Sequence, residues 1–344
     1  MRVLTAISGG VDSSVAALLL KEQGHEVVGV FMRNGVTGAA AQHKSCCSAS
    51  DAADAARVAE RLGASFYAVD YSAEFDAIIA HFTAEYARGR TPNPCVLCNQ
   101  RLKFGHILEI AEGLGADAVA TGHYAQVVEG QLKTAVDAAK DQSYYLFGIA
   151  RAALPRILFP LGGMTKPEVR ARARAAGLVT AEKPESMEIC FVPSGDYRDV
   201  VRARQATGSP GRFVDAGGRE LGRHGGVGLF TVGQRRGLPA MGEPWFVVRI
   251  DPATGDVVLG PRDALAATVA VARGVNWLVD APDAAGVRAE VKVRARATPV
   301  PARLVGTGDG EVRIEFDQPV EAVTPGQAAV FYRGDLVLGG GWLD

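Results

Sequence analysis

The chain has 344 residues, 48% of them hydrophobic, and a formal net charge of −1. That length accommodates two or three domains, and the composition is that of a globular protein. No apolar run approaches the roughly 20 residues that a membrane-spanning helix needs, and the first residues read as a strand rather than a signal peptide. A cytoplasmic location without a membrane partner is therefore expected, where disulfides do not serve as structural staples.

Residues 2–7 form a short apolar, β-branched run and read as a strand. From Ser14 onward Val15, Leu18 and Leu19 recur at helical spacing. Between them lies Ser8-Gly9-Gly10-Val11-Asp12-Ser13. Glycines let the backbone turn sharply, and the first N–H groups of the helix then face an anion. A phosphate-binding P-loop ends in Gly-Lys-[Ser/Thr], whereas this loop carries Asp12-Ser13-Ser14 and no lysine. Transfer of a γ-phosphoryl group is thereby disfavoured. An acidic residue beside phosphates calls for a cation between them, so Asp12 points to Mg²⁺.

Further along, Glu26–Met32 reads as a strand. Ser48–Asp51 opens a helix with a capping-box pattern that runs to about Leu62. Ser65–Tyr71 reads as a third strand, Ala73–Ala87 as helix, Gly89–Asn99 as a Pro-rich loop, 101–114 as helix and Ala116–Thr121 as strand. Thr165-Lys166-Pro167-Glu168 signals one more helix start. This βαβα order implies a parallel sheet with ligand sites at the C-terminal strand ends, where Ser8, Met32 and Gly122 fall. From about Gly208 glycine-rich turns separate short β-branched runs, with a hairpin turn at Asp251–Gly255 and alternation around Val312–Phe316 and Ala328–Phe331. Residues 151–240 hold 15 Lys/Arg against 8 Asp/Glu. Arg170, Arg172, Arg174, Arg198, Arg202, Arg204, Arg212, Arg223, Arg235 and Arg236 make up most of this stripe, which fits a nucleic-acid backbone or a plain solvated surface equally well.

Five cysteines remain to be explained. Cys95-Val96-Leu97-Cys98 is a C-x-x-C pair in a proline-flanked loop, open to zinc, an iron–sulfur cluster or thiol chemistry. A structural zinc lacks a convincing second pair, because adjacent Cys46 and Cys47 are poor joint ligands, and simple burial is the expectation for those two. Cys190 stands alone in Ser186-Met187-Glu188-Ile189-Cys190-Phe191.

SGGVDSS resembles the PP-loop of ATP pyrophosphatases, which cleave ATP between the α and β phosphates. Together with FMRN, CCSA, TPNPCVLCN, ATGHYA, KDQSYYLF, MEICF and HGGVGLFTVGQRRGL, it is similar to the tRNA-specific 2-thiouridylases, in order from Ser8 to about Gln327. The resemblance implies an α/β fold with a doubly wound parallel-sheet PP-loop domain (adenine nucleotide α-hydrolase-like) over 1–205. A central small β domain over 206–265 and a C-terminal β-barrel domain over 266–344 follow, giving two small β-barrel-like domains.

The same resemblance implies adenylation of the C2 oxygen of a wobble uridine, with ATP and Mg²⁺, in the tRNAs for Lys, Glu and Gln. It implies Cys190 as the persulfide, Cys98 as the nucleophile that closes a transient disulfide with it, and a sulfur-donor protein, a cysteine desulfurase or a sulfur relay. ATP contacts map to Ala6, Ile7, Ser8, Gly9, Gly10, Val11, Asp12, Ser13, Met32 and Gly122. The target base maps to Asn93, Pro94 and Cys95, and tRNA to His123, Lys140, Asp141, Gln142, Arg294 and Gln327. The chain departs from the family pattern at Ala6, Met187 and Ala295. An iron–sulfur cluster on Cys95, Cys98 and Cys190 is the alternative mechanism, and a small-molecule PP-loop synthetase the alternative function.

Overall fold

A computed structural model describes residues 1–35, 48–185, 189–192, 194–282, 285–308 and 310–344. Cys46, Cys47 and Met187 lie outside the described residues. Contacts divide the chain into two units. The first comprises Met1–Ile78, Cys95–Gly195 and Asp335–Val337; the second comprises Ile79–Pro94, Asp196–Gly334 and Leu338–Asp344.

The first unit is built on β1 (Arg2–Ala6), α1 (Val11–Glu22), β2 (Glu26–Arg33), α2 (Ala49–Arg61) and β3 (Ser65–Asp70). The chain continues through α3 (Ser72–Ala87), which passes into the second unit at Ile79, and returns in α4 (Pro94–Leu97), a π-helical segment (Cys98–His106), α5 (Ile107–Gly113) and β4 (Ala118–Ala120). The hairpin β5 (Gln126–Val128) and β6 (Gln131–Lys133), β7 (Ile157–Leu158) and α6 (Lys166–Ala175) follow. The sheet order is β3-β2-β1-β4-β7, every neighbouring pair parallel. The order reverses direction at β1, so a crevice opens at the C-terminal ends of β1 and β4.

Strand alternation assigns the two faces. Val3, Ile7, Val27 and Phe31 pack with Ala17 and Leu20 of α1 and Ala55 and Ala59 of α2. Leu4, Val28 and Val30 pack on the other face with Ile107 and Ala111 of α5. α1 is covered on a second side as well, where Val15, Ala16 and Leu18 meet Val169 and Ala173 of α6. That double covering accounts for its nearly unbroken apolar run, VAALLL.

The expected capping box is present: the Ser48 hydroxyl accepts from Asp51 N, and Asp51 Oδ2 accepts from Ser48 N at 2.9 Å. The expected loop over Gly89–Asn99 is corrected, because Pro94 starts a helical turn that leads directly into the π-helical segment. Proline at a first helical position has its φ already set and no N–H to lose, so a Pro-rich string that reads as loop can begin a helix.

The second unit carries α7 (Tyr197–Ala203) and a four-stranded sheet of β8 (Gly211–Val214), β9 (Glu220–His224), β10 (Phe246–Asp251) and β11 (Asp256–Gly260). Its order is β10-β11-β8-β9, with the predicted Asp251–Gly255 turn joining β10 to β11. Next come β12 (Ala266–Trp277), β13 (Val287–Lys292), β14 (Val300–Gly308), β15 (Glu311–Glu321), β16 (Ala328–Arg333) and β17 (Leu336–Leu343). They run in the order β12-β15-β14-β13-β16-β17, and pairing of β12 with β17 closes a six-stranded barrel. Val312, Ile314 and Phe316 fill its interior while Arg313 stays exposed, the period-two pattern of a half-buried strand. No helix among the described residues is long and apolar enough to cross a membrane.

Leu4 is fully buried in the central strand of the parallel sheet. Leu4→Ala should lower unfolding free energy in urea titration by about 2–5 kcal/mol, whereas Val136→Ala, on an exposed side chain, should change it little.

Candidate functional site

The loop between β1 and α1 is shaped by what cannot fit beside it. Gly9 has φ +75°, and a Cβ there would lie 2.2 Å from the Asp51 carbonyl oxygen. Gly122, just past β4, presses on the other side: its Cβ would lie 2.6 Å from Ser13 N. The α1 N-terminus is thus clasped between two backbones. Inside the loop Ser8 N donates to Ser13 Oγ at 3.0 Å, and the Ser8 and Ser13 hydroxyls meet at 3.1 Å. Ser14 Oγ donates to Gly10 O at 2.8 Å. The N-cap is Gly10, and no side chain caps the helix. Its first-turn donors therefore meet the mouth of the loop, where an anion is favoured.

Two cavities flank this turn. One, of about 240 Å³, is lined by Ala6, Ile7, Ser8, Asp12 and Ser13 of the loop, by Val30, Phe31 and Met32 at the end of β2, and by Lys103, Thr121, Gly122, His123 and Gln142. The other, of about 220 Å³, shares Ser8, Asp12, Ser13 and Gln142 with it and adds Gly10 and Val11. Its remaining lining is highly charged: Lys140, Lys166 and Lys183 against Asp51 and Glu185, with Tyr124 and Pro184.

A lysine from elsewhere in the chain reaches the loop. Lys166 Nζ lies 2.6 and 2.7 Å from the two carboxylate oxygens of Asp12. The Tyr124 hydroxyl donates to Asp12 Oδ1 at 2.9 Å, and burial together with that carboxylate pushes the phenol far up. Lys140 Nζ donates to Glu185 Oε2 at 2.7 Å. Burial works to raise the Glu185 pKa, but the Lys140 hydrogen bond and the Lys166 ammonium outweigh it and hold the carboxyl below its usual range. Lys183 donates to Asp51 and Asp54, both at 2.6 Å. Burial pulls its pKa down, and these two carboxylates more than offset that. Lys166 sits at the first position of α6, read from the sequence only as a helix start. Nothing in its spacing announced an ion pair spanning 154 residues.

Three family models cover the chain. "tRNA methyl transferase HUP domain" matches residues 1–194, "tRNA methyl transferase PRC-barrel domain" 199–261, and "Aminomethyltransferase beta-barrel domain" 268–343. The tRNA-specific 2-thiouridylase MnmA of Geotalea uraniireducens is 48% identical over all of this chain and 95% of its own length. Its namesake from Chloroflexus aurantiacus is 49% identical over 99% and 98%, and that from Rhodospirillum rubrum 48% over 99% and 96%. The chain belongs to the tRNA-specific 2-thiouridylase family.

The three cysteines among the described residues lie in the first unit. Cys95 lies in α4 and Cys98 opens the π-helical segment, a geometry that recurs at functional positions. Cys190 sits in a turn closed by Val192 N donating to Ile189 O at 2.8 Å. Phe191, edge-on to Phe75 at 5.9 Å, anchors that turn. All three thiols are half-buried. Among the described residues no three His, Cys, Asp or Glu side chains form a group able to hold a metal ion, so Cys95, Cys98 and Cys190 are not gathered into a ligand set.

Of the residues assigned to tRNA, His123 is buried at the floor of the first cavity. Its Nδ1 meets Thr121 Oγ1 at 2.7 Å and its Nε2 meets Lys103 Nζ at 3.3 Å. The ammonium must donate, so the ring proton resides on Nδ1. Lys103, on the π-helical segment, was missed in the sequence. Asp141 accepts from Ala135 N and the Ser143 hydroxyl and organises its own turn, and Gln142 Oε1 accepts from Tyr124 N.

In the second unit Asn93 is buried and Pro94 begins α4. Gln327 Nε2 donates to Thr91 O at 2.9 Å, bracing the strand of chain that leads to Asn93. Arg294 Nη2 donates to Val232 O, Ala322 O and Thr324 Oγ1, a structural use of a residue that the resemblance maps to tRNA. The arginine stripe is also largely spoken for. Arg172 pairs with Glu22, Arg174 with Glu182, Arg198 with Asp196, Arg202 with Asp199, Arg212 with Asp256 and Arg223 with Glu220, while Arg170 holds the Ala181 and Lys183 carbonyls. Arg235 and Arg236 stay exposed.

Two outcomes follow from this geometry. Gly24 also has positive φ, +81°, but open space around it. Gly24→Ala should cost about 1–2 kcal/mol from backbone strain alone, and Gly9→Ala several kcal/mol more from its collision, read as separate shifts in thermal unfolding. His123 is pushed well below 6.5, chiefly by burial and then by Lys103. The folded chain thus binds fewer protons there than the unfolded chain, so its stability is intact above the unfolded pKa and falls as pH drops below it. Urea titrations from pH about 7.5 to 5.5 should show stability declining, with His123→Gln flattening the slope by up to about 1.4 kcal/mol per pH unit.

Proposed function

We propose that this chain is an ATP-dependent sulfurtransferase that 2-thiolates the wobble uridine of tRNA, with ATP cleaved between its α and β phosphates. The observation that carries the reading is the uncapped α1 N-terminus between an apolar-walled cavity and a lysine-rich one, in a chain alike to named thiouridylases along its whole length.

The first cavity suits an adenosine, with Val30 and Met32 as apolar walls and backbone at Gly122 close to the ribose side. The loop donors then face the α-phosphate. Asp12 is the residue that would hold Mg²⁺, whose charge would offset that of the phosphates. Attack of the uracil C2 oxygen on the α-phosphorus forms the O–P bond as the bond to pyrophosphate breaks and its electron pair leaves with pyrophosphate. This converts a poor leaving group into AMP. The terminal sulfur of a Cys190 persulfide then displaces AMP, and the Cys98 thiolate attacks the Cys190 sulfur and releases the thiolated base. A Cys98–Cys190 disulfide results, and an external reductant resets it. A sulfur-donor protein charges Cys190. Lys103, against His123 in the same cavity, adds a cation near the reacting phosphate.

Cys98→Ser and Cys190→Ser should each reduce 2-thiolation of tRNA at least about a thousandfold while ATP affinity changes by less than about threefold. Wild-type thiolation by either variant would overturn the relay. Pyrophosphate release that proceeds equally well without tRNA would instead favour a small-molecule acceptor.

A further inference from the structure

We propose that the C-terminal barrel carries a nucleotide site of its own, a pocket beside Trp277 that takes a single guanine nucleotide, either free or as an unpaired residue of an RNA. The RNA source rests on the tRNA reading above; the pocket itself does not.

The pocket has a volume of about 250 Å³, and Trp277, Asp280, Pro282, Val287 and Arg333 are among its lining residues. That is below the roughly 300–1,000 Å³ of sites for drug-sized molecules and suits one planar base. Trp277 ends β12 and pairs with Gly339 of β17 at the seam that closes the barrel. A Cβ at Gly339 would lie 2.3 Å from Asn276 O, so no side chain stands beside the indole across the ladder. Phe331 is fully buried and meets the Trp277 ring at 5.5 Å and 39°, which fixes the indole without enclosing it. Trp277 is half-buried, and among the described residues its N–H has no hydrogen-bond partner. Arg333 is exposed and has no carboxylate within ion-pair distance among the described residues. Arg273, Arg288 and Arg313 of the same barrel are all paired.

An aromatic, a carboxylate and a spare guanidinium in one small pocket match the parts of a nucleotide. The indole stacks on a base whatever its identity, because every base has a π-face. Asp280 is exposed on the same pocket, and an ionised carboxylate only accepts hydrogen bonds. That selects the base. Guanine presents two adjacent donors, N1–H and the N2 amino group, on its pairing edge. Adenine and cytosine set a ring acceptor beside their amino group, and uracil sets an acceptor on either side of N3–H; each such acceptor repels a carboxylate. Arg333 supplies the cation for the 5′-phosphate. The pairing edge is free only in a mononucleotide or in an unpaired, unstacked base of an RNA, so a helical stretch does not enter.

Equilibrium dialysis of the full chain with GMP, AMP, CMP and UMP tests this, with the loop between β1 and α1 filled by a non-hydrolysable ATP analogue. GMP should bind saturably and at least about fivefold more tightly than the other three, and should quench tryptophan fluorescence. Trp277→Ala should weaken GMP about tenfold or more, and Trp277→Phe, which keeps a stacking ring, should weaken it less. Asp280→Asn should remove the preference for GMP over AMP, and Arg333→Met should make GMP no better than guanosine. Both of these replace exposed side chains, so the test survives even if Trp277→Ala does not fold. The source is read from tRNA affinity. A fall of about tenfold in Trp277→Ala and Asp280→Asn, with GMP competing, places an RNA base in the pocket; unchanged tRNA affinity with GMP binding intact assigns it to a free nucleotide. The proposal is overturned if GMP does not bind saturably, or if all four nucleotides bind alike and Asp280→Asn changes nothing. Should GMP bind as expected while the wild-type chain fails to thiolate tRNA, the functional reading fails and the pocket stands.

Discussion

The site depends on a close approach that only hydrogen can occupy. Gly9 lies against the Asp51 carbonyl and Gly122 against the Ser13 amide, each too near for a methyl group. These contacts hold the first turn of α1 between α2 and the end of β4, so its amides are presented rigidly. Rigidity matters because donors that are already oriented lose little entropy when an anion arrives. The parallel sheet serves this arrangement: the reversal of strand order at β1 opens the crevice, and burial of α1 on two sides keeps its axis aimed into it.

Charge is distributed in the same spirit. Around the loop almost every cation already has an anion: Lys166 with Asp12, Lys140 with Glu185, Lys183 with Asp51 and Asp54. Such a network tolerates partial burial, because each ammonium keeps a carboxylate beside it. The arginines of residues 170–223 follow the same rule, since most pair with a carboxylate close in sequence or space. Exposed pairs of this kind add little to stability, but they leave much less unbalanced charge on the surface than the count of arginines suggests.

How much of this could be read from residues alone varies with the range of the interaction. The strand–loop–helix of residues 2–22, the capping box at Ser48, the start of α6 and the Asp251–Gly255 hairpin turn are local, and their signals lie within a few neighbouring residues. The stretch from Pro94 to Asn99 was misjudged as loop because proline is compatible with a loop and with a helix start, and the helix expected from residue 101 begins in a π-helical register, which tertiary packing rather than propensity sets. Lys103, Lys166 and Lys183 were passed over for a different reason. A lone lysine has no period and no motif, and its partner lies many residues away.

The sequence by itself determined the βαβα order, the glycine-bearing loop, the pattern of alternating strands and, through its ordered motifs, the family. Each rests on chemistry between near neighbours, where steric limits on φ and side-chain periodicity act. Only the tertiary structure decided which cations serve the loop, that His123 is neutral against Lys103, that Arg294 and Gln327 brace backbone, and that Cys95, Cys98 and Cys190 do not gather as metal ligands. Those facts depend on distances between segments remote in the chain, and such distances exist only once the sheet has been assembled and its helices packed.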